Sequence, residues 1–350
     1  MDKIFYMQSI GVIGTGSFGT AVSNLLAENN RVLLYTRKKE KLETINTTRE
    51  FRGQKLHANI TLTNSPEELA AQCHLIFPIV PSVSFRNMIK TFTPYLNPGH
   101  ILIHGTKGLD YILPNEEEFN DSTVLSRENI RTMSEVILEE SLVVRVGYMG
   151  GPNIAKEIFD GKPAATVIAS KYNEVVSEGV KSIRSNHFQV YGSNDIVGIE
   201  LAGVFKNIIA IAAGALSANN LGENAKGMLL SRGTAEIIRL SKYLGASPQA
   251  FLGVAGIGDL VATCSSKDSR NFNVGYRLAK GETLKEITSS MNEVAEGINT
   301  VRIAHALSKK YDVVCPISNT LYNILFKGLS VEEGLKYLMA FRLFKDVDFI

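Results

Sequence analysis

The run Ser9-Ile10-Gly11-Val12-Ile13 passes directly into Gly14-Thr15-Gly16-Ser17-Phe18-Gly19 and then into a segment with helical spacing. A short apolar strand, a tight glycine turn and a helix in that order open a βαβ unit, and they restrict the fold more than any other stretch of the chain. Gly14 permits the tight reversal, Gly16 lets a ligand approach the backbone, and Gly19 lets the helix pack close to its strand. The helix so started points unsatisfied N–H groups and the positive end of its dipole at whatever occupies the turn. A pyrophosphate suits that environment, so Gly14, Gly16 and Gly19 are read as dinucleotide contacts.

The next strand, Arg31–Tyr35, runs into Thr36-Arg37-Lys38-Lys39. A site selective for NAD usually places Asp or Glu at this strand end, to accept from the ribose 2′-hydroxyl. Here the position is cationic. A guanidinium can pair with a 2′-phosphate in a planar, two-bond geometry, so Arg37 favours NADPH over NADH. The plainer alternative is that Arg37 to Lys41 is a solvated basic stretch with no ligand.

Further short apolar runs follow at Leu75–Pro81, Ile101–His104, Leu142–Val146 and Ala165–Ala169, separated by helical stretches. That alternation predicts a doubly wound, mostly parallel sheet. From Asn194 onward the pattern is helical throughout, which puts a boundary near residue 193 and gives two domains, 1–193 and 194–350. A chain of 350 residues is long enough for both. The acidic stretch Asn115–Asp121 reads as an exposed loop without a function. A formal charge of +2 gives no reason to expect nucleic acid or an anionic membrane as partner. Three scattered cysteines and no signal-peptide pattern fit a reducing cytoplasm, and the six histidines show no metal-ligand spacing. Ile196–Leu216 is long enough to cross a bilayer, but Glu200, Lys206 and Asn207 within it favour a buried helix of a soluble protein.

In a doubly wound fold the reactive end of the cofactor lies at the carboxyl edge of the sheet, so substrate is expected between the two domains. Lys206 stands out, because it sits near the middle of an apolar helix. Burial would lower its pKa and an adjacent anion would restore it; either way it suits proton donation. It could equally snorkel to solvent from the helix edge. Asp259 in Gly256–Leu260 is either an orienting partner for Lys206 or a helix cap. Ser269-Arg270-Asn271 offers a hydroxyl, a guanidinium and an amide for a phosphate, although such tripeptides are common on surfaces. Lys107 follows a strand end at the ligand edge of the sheet, where it is either a ligand contact or an exposed turn lysine.

Together these stretches resemble the NAD(P)-dependent glycerol-3-phosphate dehydrogenases of the bacterial type. The resemblance rests on GTGSFGTA (14–21), GTKGL (105–109), GGPNIAKE (150–157), GVFKNIIAI (203–211), GIGDLVATC (256–264), SRN (269–271) and VAEG (294–297). It implies a Rossmann-type dinucleotide-binding domain followed by an all-helical substrate domain. It also implies reversible reduction of dihydroxyacetone phosphate by NADPH or NADH, in a cytoplasmic homodimer that supplies phospholipid synthesis, with no metal. Carried over position by position, Lys206 is the acid/base, and Lys107 and Asp259 complete the catalytic set. Gly151, Asn153, Thr263, Ser269, Arg270 and Asn271 join these three at the substrate. Ser17, Phe18, Lys107, Arg270, Val294 and Glu296 join the glycine turn and Arg37 at the cofactor. One departure is Gly150-Gly151-Pro152-Asn153, where bacterial members usually carry Ser or Thr after the proline and eukaryotic ones an amide. The stretch 112–142 is also longer than in most bacterial relatives.

Two rival readings stay open at this stage. One is a related two-domain dehydrogenase for a β-hydroxyacid or ketopantoate, whose site needs an anchor for a carboxylate. The other is a redox sensor that binds a dinucleotide without turnover. If Arg37 reads a 2′-phosphate, Arg37→Asp lowers the NADPH-to-NADH ratio of kcat/KM by about tenfold or more, the size of one charge-assisted contact. An unchanged ratio would contradict that role.

Overall fold

The computed structural model describes residues 8–51, 53–113, 119–120, 123–291 and 293–342. Most of the acidic Asn115–Asp121 stretch lies outside them. The chain divides into two compact units, Met1–Thr106 with Met133–Ile196, and Lys107–Thr132 with Val197–Ile350.

The first unit is built on an eight-stranded sheet. Its strands, numbered along the chain within this sheet, are β1 (Ser9–Ile13), β2 (Arg31–Tyr35), β3 (Ile60–Thr63), β4 (Leu75–Pro78), β5 (Ile101–His104), β6 (Arg145–Gly150), β7 (Ala164–Ala169) and β8 (Phe188–Ser193). Their spatial order is β3-β2-β1-β4-β5-β6-β7-β8. Pairing is parallel except between β6 and β7, which run antiparallel. From β1 the chain goes first to β2 on one side and later to β4 on the other. The carboxyl end of β1 is therefore a topological switch point, where open α/β sheets bind ligands. Gly14 is the next residue.

Side-chain alternation along the strands builds two cores, one on each face. Ile10, Val12, Val32, Leu34, Leu75, Phe77, Ile101 and Ile103 pack with Val22, Leu25 and Leu26 of the Ser17–Ala27 helix. Ile13, Leu33, Tyr35, Ile76 and Leu102 pack with Phe85, Ile89 and Phe92 of the Ser82–Phe92 helix. Helices on both faces make the sheet doubly wound, as expected. One strand boundary shifts: β6 starts at Arg145, whereas the apolar run suggested Leu142. Leu142 and Val144 are exposed, and Ser141 Oγ accepts from the Val143 N–H to shape a turn there.

Among the described residues, the second unit is helical apart from a short hairpin of Leu109–Tyr111 with Ile130–Thr132. The Lys107–Thr132 segment groups with these helices. Local chemistry explains it: the Arg127 N–H donates to the Tyr311 hydroxyl at 2.7 Å, and the Lys107 ammonium pairs with Asp259. The apolar Ile196–Ala218 helix is the core of this unit. Among the described residues it is the one helix long and apolar enough to cross a membrane, and 94 % of its most apolar window is buried within the protein. Neighbouring helices approach it closely. A Cβ on Gly214 would fall 1.9 Å from the Phe272 carbonyl oxygen, and one on Gly275 would fall 1.7 Å from that of Ile211. Its uniform hydrophobicity is that of an internal helix packed on every side.

Glu236, only 1 % exposed on the Gly222–Lys242 helix, fastens this unit. Its carboxylate accepts from the Ile317 N–H at 2.8 Å and the Ser318 N–H at 2.7 Å, at the start of the Pro316–Phe326 helix. The Ser318 hydroxyl donates to it as well. Burial pushes the Glu236 pKa up, and these donors oppose the shift. Glu236→Ala leaves two buried N–H groups without an acceptor and is expected to cost about 2–4 kcal/mol of unfolding free energy. Denaturant titration checks it, and a loss below about 0.5 kcal/mol would show that the contact is not a fastening point.

Candidate functional site

In the first unit, the turn after β1 has the shape its glycines suggest. Gly14 has φ of +121°, a conformation L side chains rarely adopt, and a Cβ there would lie 2.2 Å from the Ile79 carbonyl oxygen. A Cβ on Gly19 would lie 2.1 Å from the Gly14 carbonyl oxygen, so the helix packs against the turn as closely as the backbone allows. Gly16 differs from both. It is exposed at the start of the Ser17–Ala27 helix, with no heavy atom within 4 Å of an added Cβ. Open space over a helix N-terminus is what a dinucleotide pyrophosphate requires, so the turn fits the cofactor.

The turn is tied to the end of β2. The Gly14 N–H donates to the Tyr35 carbonyl at 3.2 Å, and the Thr15 hydroxyl donates to that of Thr36 at 3.3 Å. Arg37, exposed at the same strand end, is the next residue. Phe18 lies against Gly105, where a Cβ would meet its ring at 3.0 Å, and the Thr106 hydroxyl donates to the Val80 carbonyl at 2.7 Å. Gly151 and Asn153 follow β6. The Asn153 amide donates to the Ala165 carbonyl at 3.0 Å and its Oδ1 accepts from the Thr166 hydroxyl at 2.9 Å, so β7 fixes which way this side chain faces. No motif in the sequence points to Thr166 as a partner.

The second unit holds the charged cluster. Lys206 is buried, 4 % exposed, so its head does not snorkel to solvent. Its Nζ donates to Asp259 Oδ1 at 2.9 Å and to the Thr263 hydroxyl. Asp259 Oδ2 accepts from Lys107 Nζ at 2.7 Å. Asp259 is therefore the common acceptor of two ammonium groups and not merely a helix cap. It starts the Asp259–Ser265 helix, which continues a π-helical turn at Val254–Gly258. Gly256 allows that turn, since a Cβ would fall 2.2 Å from the Phe251 carbonyl oxygen. Thr263, one helical turn beyond Asp259, donates to Oδ1 at 3.3 Å. Lys107 is the more accessible cation, with its side chain 20 % exposed.

Burial, together with two positive charges that share one negative charge, sets the acidity of Lys206. Burial is the largest influence and lowers its pKa to about 8; Asp259 opposes the shift and the Lys107 charge adds to it. The group can thus hold or release a proton near neutral pH.

The SRN and VAEG stretches meet within this unit. Arg270 Nη1 donates to the Val294 carbonyl at 2.9 Å and lies 3.3 Å from Glu293 Oε2. Asn271 Oδ1 accepts from the Gly297 N–H at 2.9 Å, in the first turn of the Glu296–Tyr311 helix. A Cβ on Gly297 would lie 2.9 Å from the Asn207 carbonyl oxygen, one residue from Lys206. Ser269 Oγ accepts from the Phe272 N–H at 3.2 Å and caps the Arg270–Ala279 helix. Its hydroxyl is thus engaged locally, with Arg270 and Asn271 in the first turn behind it. Among the described residues no group of three or more His, Cys, Asp or Glu side chains could hold a metal ion.

The chain is similar to known proteins over nearly its whole length. Residues 9–176 match the family model described as NAD-dependent glycerol-3-phosphate dehydrogenase N-terminus, and residues 195–336 match that of its C-terminus. The chain is 38 % identical over 348 residues to a glycerol-3-phosphate dehydrogenase [NAD(P)+] of Pseudomonas aeruginosa, covering 98 % of this chain and 97 % of the relative. It is 37 % identical over 349 residues to the Azotobacter vinelandii protein of the same name, covering 98 % and 97 %. The crystal structure of glycerol-3-phosphate dehydrogenase from Coxiella burnetii superposes with a TM-score of 0.85 at 27 % identity, covering 96 % and 99 % of the two chains. A ketopantoate reductase from Ralstonia eutropha shares only the fold, with a TM-score of 0.56 at 14 % identity, covering 95 % of this chain and 100 % of that one. Two family models spanning nearly the whole chain, and full-length relatives above one-third identity, place this protein in the NAD(P)-dependent glycerol-3-phosphate dehydrogenase family.

Proposed function

We propose that the chain catalyses the reversible reduction of dihydroxyacetone phosphate to sn-glycerol 3-phosphate with NADPH or NADH, and that Lys206 is its acid/base. The observation that carries this reading is the buried Lys206–Asp259–Lys107 cluster in a chain of this family. The nicotinamide, when bound, supplies or accepts the hydride. As the substrate carbon changes from ketone to alcohol, its oxygen gains negative charge, which the Lys206 ammonium stabilises and protonates. Asp259 keeps that ammonium oriented, Thr263 fixes its rotamer, and Lys107 adds positive field. Arg270, Asn271 and Ser269 hold the phosphate end of the substrate, so that binding energy remote from the ketone positions it. Gly151 and Asn153 add contacts from the turn after β6, Asn153 through the amide that Thr166 orients.

The glycine turn, with Ser17 and Phe18, holds the cofactor, and Val294 and Glu296 contact it together with Arg270 and Lys107. Arg37 favours the phosphorylated form. We assign residues 1–193 chiefly to cofactor binding and 194–350 to substrate binding. The enzyme works as a cytoplasmic homodimer without membrane insertion, and it feeds phospholipid synthesis. The burial of the Ile196–Ala218 helix within the protein supports a soluble protein.

Oxidation of NADPH followed with dihydroxyacetone phosphate and with unphosphorylated dihydroxyacetone tests the activity. A kcat/KM at least about 100-fold higher for the phosphorylated substrate is expected from a charge-assisted phosphate contact. Equal rates would favour the ketopantoate-type reading, and no turnover would favour a sensor. Lys206→Ala is expected to lower kcat by roughly 10²–10⁴. A fall below tenfold in a folded variant would remove Lys206 from the acid/base role. Reduction needs the protonated amine and oxidation the neutral one. With the pKa lowered to about 8, kcat/KM for ketone reduction should decline above pH 8, and that for alcohol oxidation should rise through the same range. Profiles flat from pH 7 to about 9 in both directions would contradict the assignment.

A further inference from the structure

We propose that Lys41 is a positioning residue of the dinucleotide site, acting through the carbonyl of Thr15. This inference rests on the cofactor reading of the glycine turn and deepens it. Lys41 lies in the first turn of the Lys39–Thr48 helix, which begins just after β2. The helix dipole disfavours cations at that end of a helix. The Lys41 side chain runs instead to the glycine turn, where Nζ donates to the Thr15 carbonyl oxygen at 2.6 Å. The same ammonium sits 4.3 Å over the centroid of the Phe51 ring, and Phe51 is buried where it pairs with Gln54 in a small hairpin. A ring face below and a carbonyl ahead hold the charge in one place.

The peptide plane supplies the link to the ligand. The Thr15 carbonyl and the Gly16 N–H belong to one planar trans peptide and point in opposite directions. Holding Thr15 O toward Lys41 therefore aims the Gly16 N–H the opposite way. Gly16 is also the residue beside which the structure leaves open space. The Gly14 N–H to Tyr35 bond and the Thr15 to Thr36 hydroxyl bond fix the turn just before that plane. Lys41 fixes the plane itself and so presents a backbone donor to the pyrophosphate, a group common to NADH and NADPH.

Direct binding of NADH and of NADPH, by calorimetry or fluorescence, to wild type, Lys41→Met and Lys41→Arg tests this. Lys41→Met should weaken both dinucleotides by roughly tenfold and equally, the size of one lost charge-assisted contact. Lys41→Arg, which keeps a charged donor over the Phe51 ring, should restore both to within about threefold of wild type. Lys41→Gln serves the same comparison if Lys41→Met does not fold. Binding within about twofold of wild type in the uncharged variant would overturn the proposal. So would a loss confined to NADPH, which would make Lys41 a reader of the 2′-phosphate, and so would failure of arginine to rescue. A wild-type protein that binds neither dinucleotide would overturn the reading of the turn itself.

Discussion

The chemistry of the helical unit depends on one carboxylate. Asp259 is 2 % exposed and accepts from two lysines, one on each oxygen. A buried ammonium without a counter-charge is expelled or neutralised, and a second ammonium nearby makes the problem worse. Asp259 relieves both while leaving the cluster with a net positive charge. Burial lowers the pKa of Lys206, and the Lys107 charge adds to that effect while Asp259 opposes it. The local backbone serves this placement: the π-helical turn before Asp259, the glycine that allows it and the segment carrying Lys107 all belong to this unit.

The sheet-bearing unit meets a different constraint, the presentation of backbone donors without side-chain interference. Its three motif glycines do separate jobs. Gly14 takes the left-handed conformation, Gly19 permits close packing, and Gly16 leaves space. Only the last leaves room for a ligand, and the ties from Tyr35, Thr36 and Lys41 give the turn a fixed shape before any ligand arrives. Rigid presentation of this kind lowers the entropic cost of binding.

Much of this was legible in the sequence, for identifiable reasons. The strand–turn–helix at residues 9–21 is local, and local patterns survive folding. The doubly wound sheet followed from short apolar runs separated by helical stretches. Lys206 was conspicuous because a charge within an apolar helix has few explanations, although only the structure decides between burial and snorkelling. Contacts between distant segments were not legible. Lys41 looked like part of a solvated basic run, because nothing in its neighbours announces a bond to Thr15. The Asn153–Thr166 pair and the Glu236 clamp are hidden for the same reason. The grouping of Lys107–Thr132 with the helices also escaped the pattern, since a three-residue hairpin strand carries little periodicity. The motif resemblance supplied roles that spacing could not, and the geometry supplied the partners.

The most direct test of the central claim is the titration of the Lys206 ammonium itself, followed by NMR of protein carrying isotope-labelled lysine and assigned with a Lys206→Met spectrum. The account predicts one lysine resonance, absent from that variant, titrating with a pKa of about 8. If Lys206 instead titrates with the exposed lysines above about pH 10, burial and the Lys107 charge do not tune it, and the acid/base assignment loses its physical basis.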